Sequence, residues 1–341
     1  MQSYNEQRKR VIVFGATGSV GAYATLDISN AGYDVIAVGH RLSDNGFFSQ
    51  YGIQYISLDI CNALDFAKLP NEDVYAIVNL AGALPARMEG YFPQKYVDTI
   101  ITGMLNVLTY AQHVGVDRVI YAQSISDVGY LMGDATKPIP SEAESHFPLN
   151  NDHSVYSICK NAAVNLLEHF YCKYGIKRFV LRFPNITLYH PNPFDYVDGV
   201  RRWVSYRWMI HQAMAGNPLE VWGNPSRRRD IVYIKDCTQI ILGALSAQVE
   251  GGMYNVGTGV GVTMKDQVKG IAEVFAPQGK QIEIIYRLDK PDSPEYVFDI
   301  SKTQHDLRYT PQYEYKVALQ DFKREQELNR FRKIWGEEVK E

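Results

Sequence analysis

The chain has 341 residues, 35 Lys+Arg against 38 Asp+Glu, and a formal net charge of −3. With 46% hydrophobic and 21% charged residues, it has the proportions of a globular chain, which excludes a disordered or fibrous one. The near-balanced charge gives no electrostatic drive toward nucleic acid or an anionic membrane, and the length suits one large α/β domain or two lobes.

The N-terminal MQSYNEQRKR is polar and basic and leads directly into the apolar Val11–Phe14, without a signal-type stretch. Val11–Phe14 predicts a strand and Ser19–Asn30 a helix. Further strands are expected at Asp34–Val38, Gln54–Leu58 and Tyr75–Leu80, then a helix over Lys95–His113 and a strand at Arg118–Gln123. Val155–Tyr174 reads as a helix and Arg178–Phe183 as a strand. Strands separated by helices imply βαβ units and a parallel sheet. After Pro184 the elements shorten: helix Trp203–Ala215, strand Leu219–Val221, helix Asp236–Leu245, strand Met253–Val256, helix Thr263–Phe275 and strand Gln281–Ile285. The expected architecture is a Rossmann-type doubly wound parallel sheet (residues 1–184) with a smaller α/β substrate lobe (residues 185–341), some of whose segments return to the first. No apolar run reaches the ~20 residues of a membrane span. Cys61, Cys159, Cys172 and Cys237 form no CxxC pair, so no metal site is expected and a reducing cytoplasm is.

The first motif is Gly15-Ala-Thr17-Gly18-Ser19-Val20-Gly21, between a strand and a helix. Glycines allow a tight turn and close approach of a pyrophosphate, which the free N–H groups of the helix start attract. The second strand runs into Gly39-His40-Arg41 with no carboxylate to hold a ribose 2′-hydroxyl. Arg41 can instead fork onto a 2′-phosphate, with His40 beside it, which favours NADP over NAD. Asp59, followed by Ile60, can accept from an adenine amino group, and the small residues of Leu80-Ala81-Gly82 let a cofactor lie against the backbone.

Tyr156 and Lys160 stand four apart on a predicted helix and share a face. A phenol of ordinary pKa ~10 needs a neighbouring positive charge to work as an acid or base near neutrality. With 24 Tyr in the chain, about one YxxxK is expected by chance, and Tyr91/Lys95 and Tyr286/Lys290 also match. Prolines 93 and 291 interrupt those two, so only Tyr156 and Lys160 sit mid-helix downstream of the glycine-rich turn. Ser124, with Ser126 as second candidate, ends the fifth strand and can polarise the substrate oxygen.

These residues, with Leu181-Arg-Phe-Pro-Asn185, Val221-Trp-Gly223, Arg229-Asp-Ile-Val-Tyr-Ile-Lys-Asp236 and Tyr254-Asn-Val-Gly-Thr-Gly259, resemble the extended short-chain dehydrogenases/reductases. The likeness is to their nucleotide-sugar epimerase/dehydratase group, which includes UDP-galactose 4-epimerase, over roughly residues 10–325. The resemblance implies hydride-transfer chemistry at Ser124, Tyr156 and Lys160, with Tyr156 and Lys160 also touching the cofactor. It implies that Asn185, Arg229 and Arg287 contact a nucleotide-diphosphate sugar, and that two copies pair through their long helices as a homodimer. Where 4,6-dehydratases carry Asp-Glu, this chain has Ile125 and Ser126, which argues against dehydration. The group's Asn within the long helix is replaced by Thr102, which argues against a water-distorted helix there. The expected activity is 4-epimerisation or 4-keto reduction of such a sugar. A reductase of a non-nucleotide ketone, or a silent NAD(P) sensor, is the alternative.

Overall fold

The structure is a computed structural model and describes residues 8–151, 153–197 and 199–339; most of the polar N-terminal segment lies outside the described residues. Seven parallel strands form the central sheet: β1 (Arg10–Phe14), β2 (Asp34–Gly39), β3 (Gln54–Ser57), β4 (Ala76–Asn79), β5 (Arg118–Ser124), β6 (Lys177–Phe183) and β7 (Gly251–Asn255). Their order is β7-β6-β5-β4-β1-β2-β3. Alternation along each strand divides the core into two layers. Val11, Val13, Val35, Ala37, Val78 and Ile120 face one side, and Ile12, Phe14, Ile36, Val38, Ile77 and Val119 the other. Helices α1 (Ser19–Asn30), α2 (Gly103–Val114), α3 (Ser154–Tyr174), α4 (Ser205–Ala215), α5 (Ile234–Ser246), α6 (Met264–Phe275) and α7 (Tyr315–Leu328) complete the main elements. α1 and α5 cover the first layer, and α2 and α3 the second.

The chain leaves β1 toward β2 on one side and β4 on the other. That reversal opens a crevice at the carboxyl ends of the strands, where α/β sheets bind ligands. The smaller lobe packs α6 against α4 and α7. It carries three two-stranded pairs: Leu219–Trp222 with Ile284–Arg287, Arg228–Asp230 with Gly261–Thr263, and Phe194–Val197 with Val200–Trp203. After this lobe begins, the chain returns to the sheet through β7.

Several expectations need correction. The strand expected at Gln281–Ile285 is Ile284–Arg287, because its register is set by pairing with Leu219–Trp222. The hairpin at 194–203 and helix α7 were not expected. Pro191 and Pro193 precede the hairpin rather than interrupt it, and the apolar residues α7 buries are a narrow stripe of Ala318, Leu319 and Phe322 in a largely charged helix. The helix expected at Lys95–His113 is distorted despite Thr102: Val97–Thr102 is a π-helical turn between Pro93–Tyr96 and α2. Thr99 sits inside that turn, where its hydroxyl donates to the Lys95 carbonyl at 2.7 Å and accepts from the Ala83 amide at 3.1 Å.

Candidate active site

The glycine-rich turn follows β1 and enters α1 at Gly18, with no side chain capping the first turn and no acidic residue in it. The first-turn amides are left to a ligand, and the helix dipole favours an anion there. Gly15 has φ +79°, and a Cβ on it would lie 2.8 Å from the Ala81 amide nitrogen; a Cβ on Gly21 would lie 2.0 Å from the Gly15 carbonyl oxygen. Both positions therefore require glycine, and the turn presses directly on Leu80-Ala81 at the end of β4. Thr17, Ser19 and Val20 complete the turn. These features fit a dinucleotide pyrophosphate.

His40 and Arg41 stand exposed just beyond β2. The Arg41 guanidinium donates to the Ile334 carbonyl, a contact from the far C-terminal region that local sequence could not foretell. Asp59 lies beyond β3 and its carboxylate accepts from the Cys61 amide at 2.9 Å. Ile60 is buried beside Gly103. Gly82 lies close to Lys160: a Cβ there would be 4.0 Å from Nζ.

β5 and α3 bring the reactive side chains together. Ser124 ends β5, accepts from the Ser126 amide at 3.2 Å and stands beside the Tyr156 phenol. Ser126 is turned instead toward Ser157, whose hydroxyl lies 3.0 Å away. Tyr156 is 7% exposed and packs its ring edge on Tyr96, with centroids 5.7 Å apart. Burial pushes its phenol up to about 12, with Ser124 pulling the other way. Lys160 Nζ donates to the Ala122 carbonyl at 2.7 Å and lies 4.8 Å from the Tyr121 ring centroid and 5.8 Å from that of Tyr156.

Burial pulls the Lys160 ammonium from 10.5 down to about 7. Between those values the unfolded chain holds the proton and the folded chain does not, so stability rises with pH across that window and is lowest below it. Lys160→Met has no such proton to release. The wild-type Tm minus that of Lys160→Met, measured without cofactor, is expected to climb from about pH 7 toward about pH 10. A flat difference would place Lys160 in a solvated setting.

On the substrate side, Asn185 is exposed just beyond β6. Arg229 is partly buried, its guanidinium carbon lies 5.9 Å from the Tyr296 ring centroid, and its Nε is buried without a hydrogen-bond partner. The neighbouring Asp230 is buried and accepts from the Thr258 amide (2.8 Å), the Thr258 hydroxyl (2.7 Å) and the Gly259 amide (2.9 Å), so Arg229 projects from a braced strand. Arg287 is engaged by Asp289 at 3.0 Å and Glu220 at 3.2 Å. Asp127, next to Ser126, is turned away into a buried ion pair with Arg182, 3.0 Å apart. That pair was missed at the sequence level, although a charged residue inside the apolar Phe179–Phe183 run was a signal for it. Among the described residues, no group of three or more His, Cys, Asp or Glu is placed to hold a metal ion.

The profile described as "NAD dependent epimerase/dehydratase family" matches residues 11–257. The chain is similar to a putative GDP-L-fucose synthase 2 of Arabidopsis thaliana, 24% identical over 93% of this chain and 90% of that protein. It is also similar to dTDP-glucose 4,6-dehydratase of Escherichia coli, 23% identical over 91% of each. Among solved structures, the fold matches a UDP-glucose 4-epimerase of Thermotoga maritima in complex with UDP-glucose. The TM-score is 0.72 at 22% identity, covering 93% of this chain and 99% of that one.

Proposed function

The chain belongs to the NAD dependent epimerase/dehydratase family, and from that premise we propose that it is a nicotinamide-dependent enzyme that epimerises or reduces the 4-position of a nucleotide-diphosphate sugar. The observation that carries this reading is the grouping of Ser124, at the end of β5, with a buried Tyr156 and Lys160 one helical turn along α3, where Lys160 lies close to Gly82. A nicotinamide cofactor bound there supplies the hydride acceptor or donor. Tyr156 exchanges a proton with the reacting sugar oxygen, and Ser124 donates to that same oxygen. In the cofactor-free protein the phenol is too weak an acid for this. The positive charge of an oxidised nicotinamide ring acts to lower it, and the Lys160 ammonium adds to this where it holds its proton.

Two features narrow the reaction. Ile125 and Ser126 carry no carboxyl group and Asp127 is bound to Arg182, which disfavours 4,6-dehydration. Arg41, at a strand end without a carboxylate, favours NADP(H) and with it the reductive direction. A homodimer through α2 and α3 is supported by exposed Leu105 and Ile158 on those helices, and sedimentation equilibrium reads it directly. No helix of the described residues is long and apolar enough to cross a membrane.

Arg229 and Asn185 are the proposed diphosphate contacts; Arg287, engaged by two carboxylates, is given no part. Thermal-shift measurements with UDP-, dTDP-, GDP- and CDP-sugars test this. One base is expected to stabilise the protein, by about 2.7 kcal/mol at roughly 100 times Kd. Arg229→Met is expected to weaken that ligand about tenfold or more, the effect of losing a charge-assisted hydrogen bond. Stabilisation by none of the four, or an unchanged Kd in Arg229→Met, overturns the assignment.

A further inference from the structure

We propose that the segment Phe331–Val339 forms one wall of the cofactor's adenosine-ribose pocket, and that its Ile334 carbonyl orients Arg41 to receive a 2′-phosphate. The inference rests on the cofactor site proposed above and adds to it a specificity-determining element from the opposite end of the chain.

Two loops flank the expected ribose, the tip of the glycine-rich turn and the chain leaving β2, and one helical turn, Arg332–Trp335, is bonded to both. Trp335 Nε1 donates to the Thr17 carbonyl at 3.0 Å. The Arg41 guanidinium donates to the Ile334 carbonyl, and Asn45 Nδ2 donates to the Lys333 carbonyl at 2.8 Å. Beneath these polar links the segment is anchored by apolar packing. Phe331 is 1% exposed, with its ring centroid 4.6 Å from Tyr23 and 5.4 Å from Phe47. Trp335 lies 4.6 Å from the His190 ring, and the Val339 amide donates to the Pro191 carbonyl at 3.0 Å. The segment is therefore fixed to the body of the protein, and Arg41 is held at both ends: Tyr55 donates its hydroxyl to the Arg41 carbonyl at 2.7 Å.

An arginine on an exposed loop samples many rotamers and gives up that freedom when it binds a phosphate. A guanidinium carries five donors in a rigid plane. Committing one of them to a fixed carbonyl orients the plane and leaves the remaining donors for phosphate oxygens, so less ordering is left to the binding step. The Ile334 carbonyl thus acts through Arg41, as a positioning group.

Calorimetric titration of the full chain with adenosine 2′,5′-bisphosphate and with 5′-AMP tests this without turnover, because both ligands fill only the adenosine half of the site. The wild type is expected to prefer the bisphosphate. Trp335→Ala, which frees the turn carrying Ile334, is expected to weaken the bisphosphate about tenfold and 5′-AMP less than about twofold. In an Arg41→Ala background, Trp335→Ala is expected to have no further effect on the bisphosphate, since the two act through one contact. Asn45→Ala, a change at an exposed side chain, is expected to move the preference in the same direction and serves if Trp335→Ala does not fold. Equal loss of both ligands, or an undiminished effect in the Arg41→Ala background, makes the segment a structural buttress and overturns the proposal. Tighter binding of both ligands by Trp335→Ala also overturns it, by showing that the segment obstructs the pocket. A wild type that binds neither ligand is a separate result, because it removes the cofactor site itself.

Discussion

Tyr156→Phe is expected to lower turnover of the nucleotide sugar about 10³-fold, the scale of a lost general acid–base. Cofactor affinity and Tm are expected to stay near wild type. The substitution keeps the ring that packs against Tyr96 and removes only the hydroxyl beside Ser124. Ser124 is only partly buried, so its hydroxyl can turn to water, no buried group is stranded, and the stability change should stay within about 1 kcal/mol. The pH dependence gives the sign of the chemistry. Oxidation of the sugar hydroxyl needs the phenolate, so its kcat/KM rises with pH; reduction of a keto group needs the phenol, so its kcat/KM falls at high pH. A phenol at about 12 in the free protein places the free-enzyme limb far to the alkaline side. If it appears near neutrality in the cofactor complex, the bound cofactor and Lys160 have done the lowering. Turnover within tenfold of wild type in Tyr156→Phe would remove Tyr156 from the chemistry. Unchanged cellular function with turnover abolished would favour the sensor reading.

What was legible in the sequence was local. The strand–glycine turn–helix at residues 10–30 carries its own signals: an apolar run, three spaced glycines and a helix pattern. The structure has the strand and helix where those signals placed them. Tyr156 and Lys160 were separated from other YxxxK matches by position along the expected fold, and they lie on α3 beside β5. Pairings between distant segments were not legible. Arg41 gave a charge at the right strand end, but nothing in Gly39-His40-Arg41 announces a partner 293 residues away. The strand at 284–287 was placed three residues early because its bounds come from Leu219–Trp222, not from its own pattern. The π-helical turn holds Thr99, a residue the helix pattern treats as neutral, so the pattern carried no sign of the distortion. Arg182 lies in a segment that read correctly as a strand, yet its pairing with Asp127, in the 3-10 turn after β5, was not evident.

Asp127→Ala is expected to destabilise the fold by about 3–5 kcal/mol, the scale of breaking a buried ion pair from one side. The Asp127 and Arg182 side chains are each 1% exposed, so the guanidinium left behind can neither reach water nor give up its charge. It would keep its bonds to the Ser141 carbonyl and the Asn255 side-chain oxygen, both at 3.0 Å, but these are neutral acceptors and leave the charge uncompensated. Replacing both partners by apolar residues, Asp127→Leu with Arg182→Met, removes the stranded charge and is expected to recover much of the loss, because the pair's attraction largely offsets its desolvation. Recovery should be incomplete. Arg182 also ties the 139–143 strap to β6 through the Ser141 carbonyl, and that tie is lost even though the strap keeps its bonds at Ile139 to Asn255, Val297 and Asp299 and the Glu142–Lys302 ion pair. Urea unfolding of the two variants against wild type reads the difference. If the single variant loses less than about 1 kcal/mol, the pair is worth no more than an exposed one. Asp127 directly follows Ser126 in the turn leaving β5, so a loosened anchor should also let Ser124 drift. The variant that unfolds more easily is therefore expected to show a lower kcat at a nearly unchanged KM, the pattern of a positioning loss rather than a binding loss.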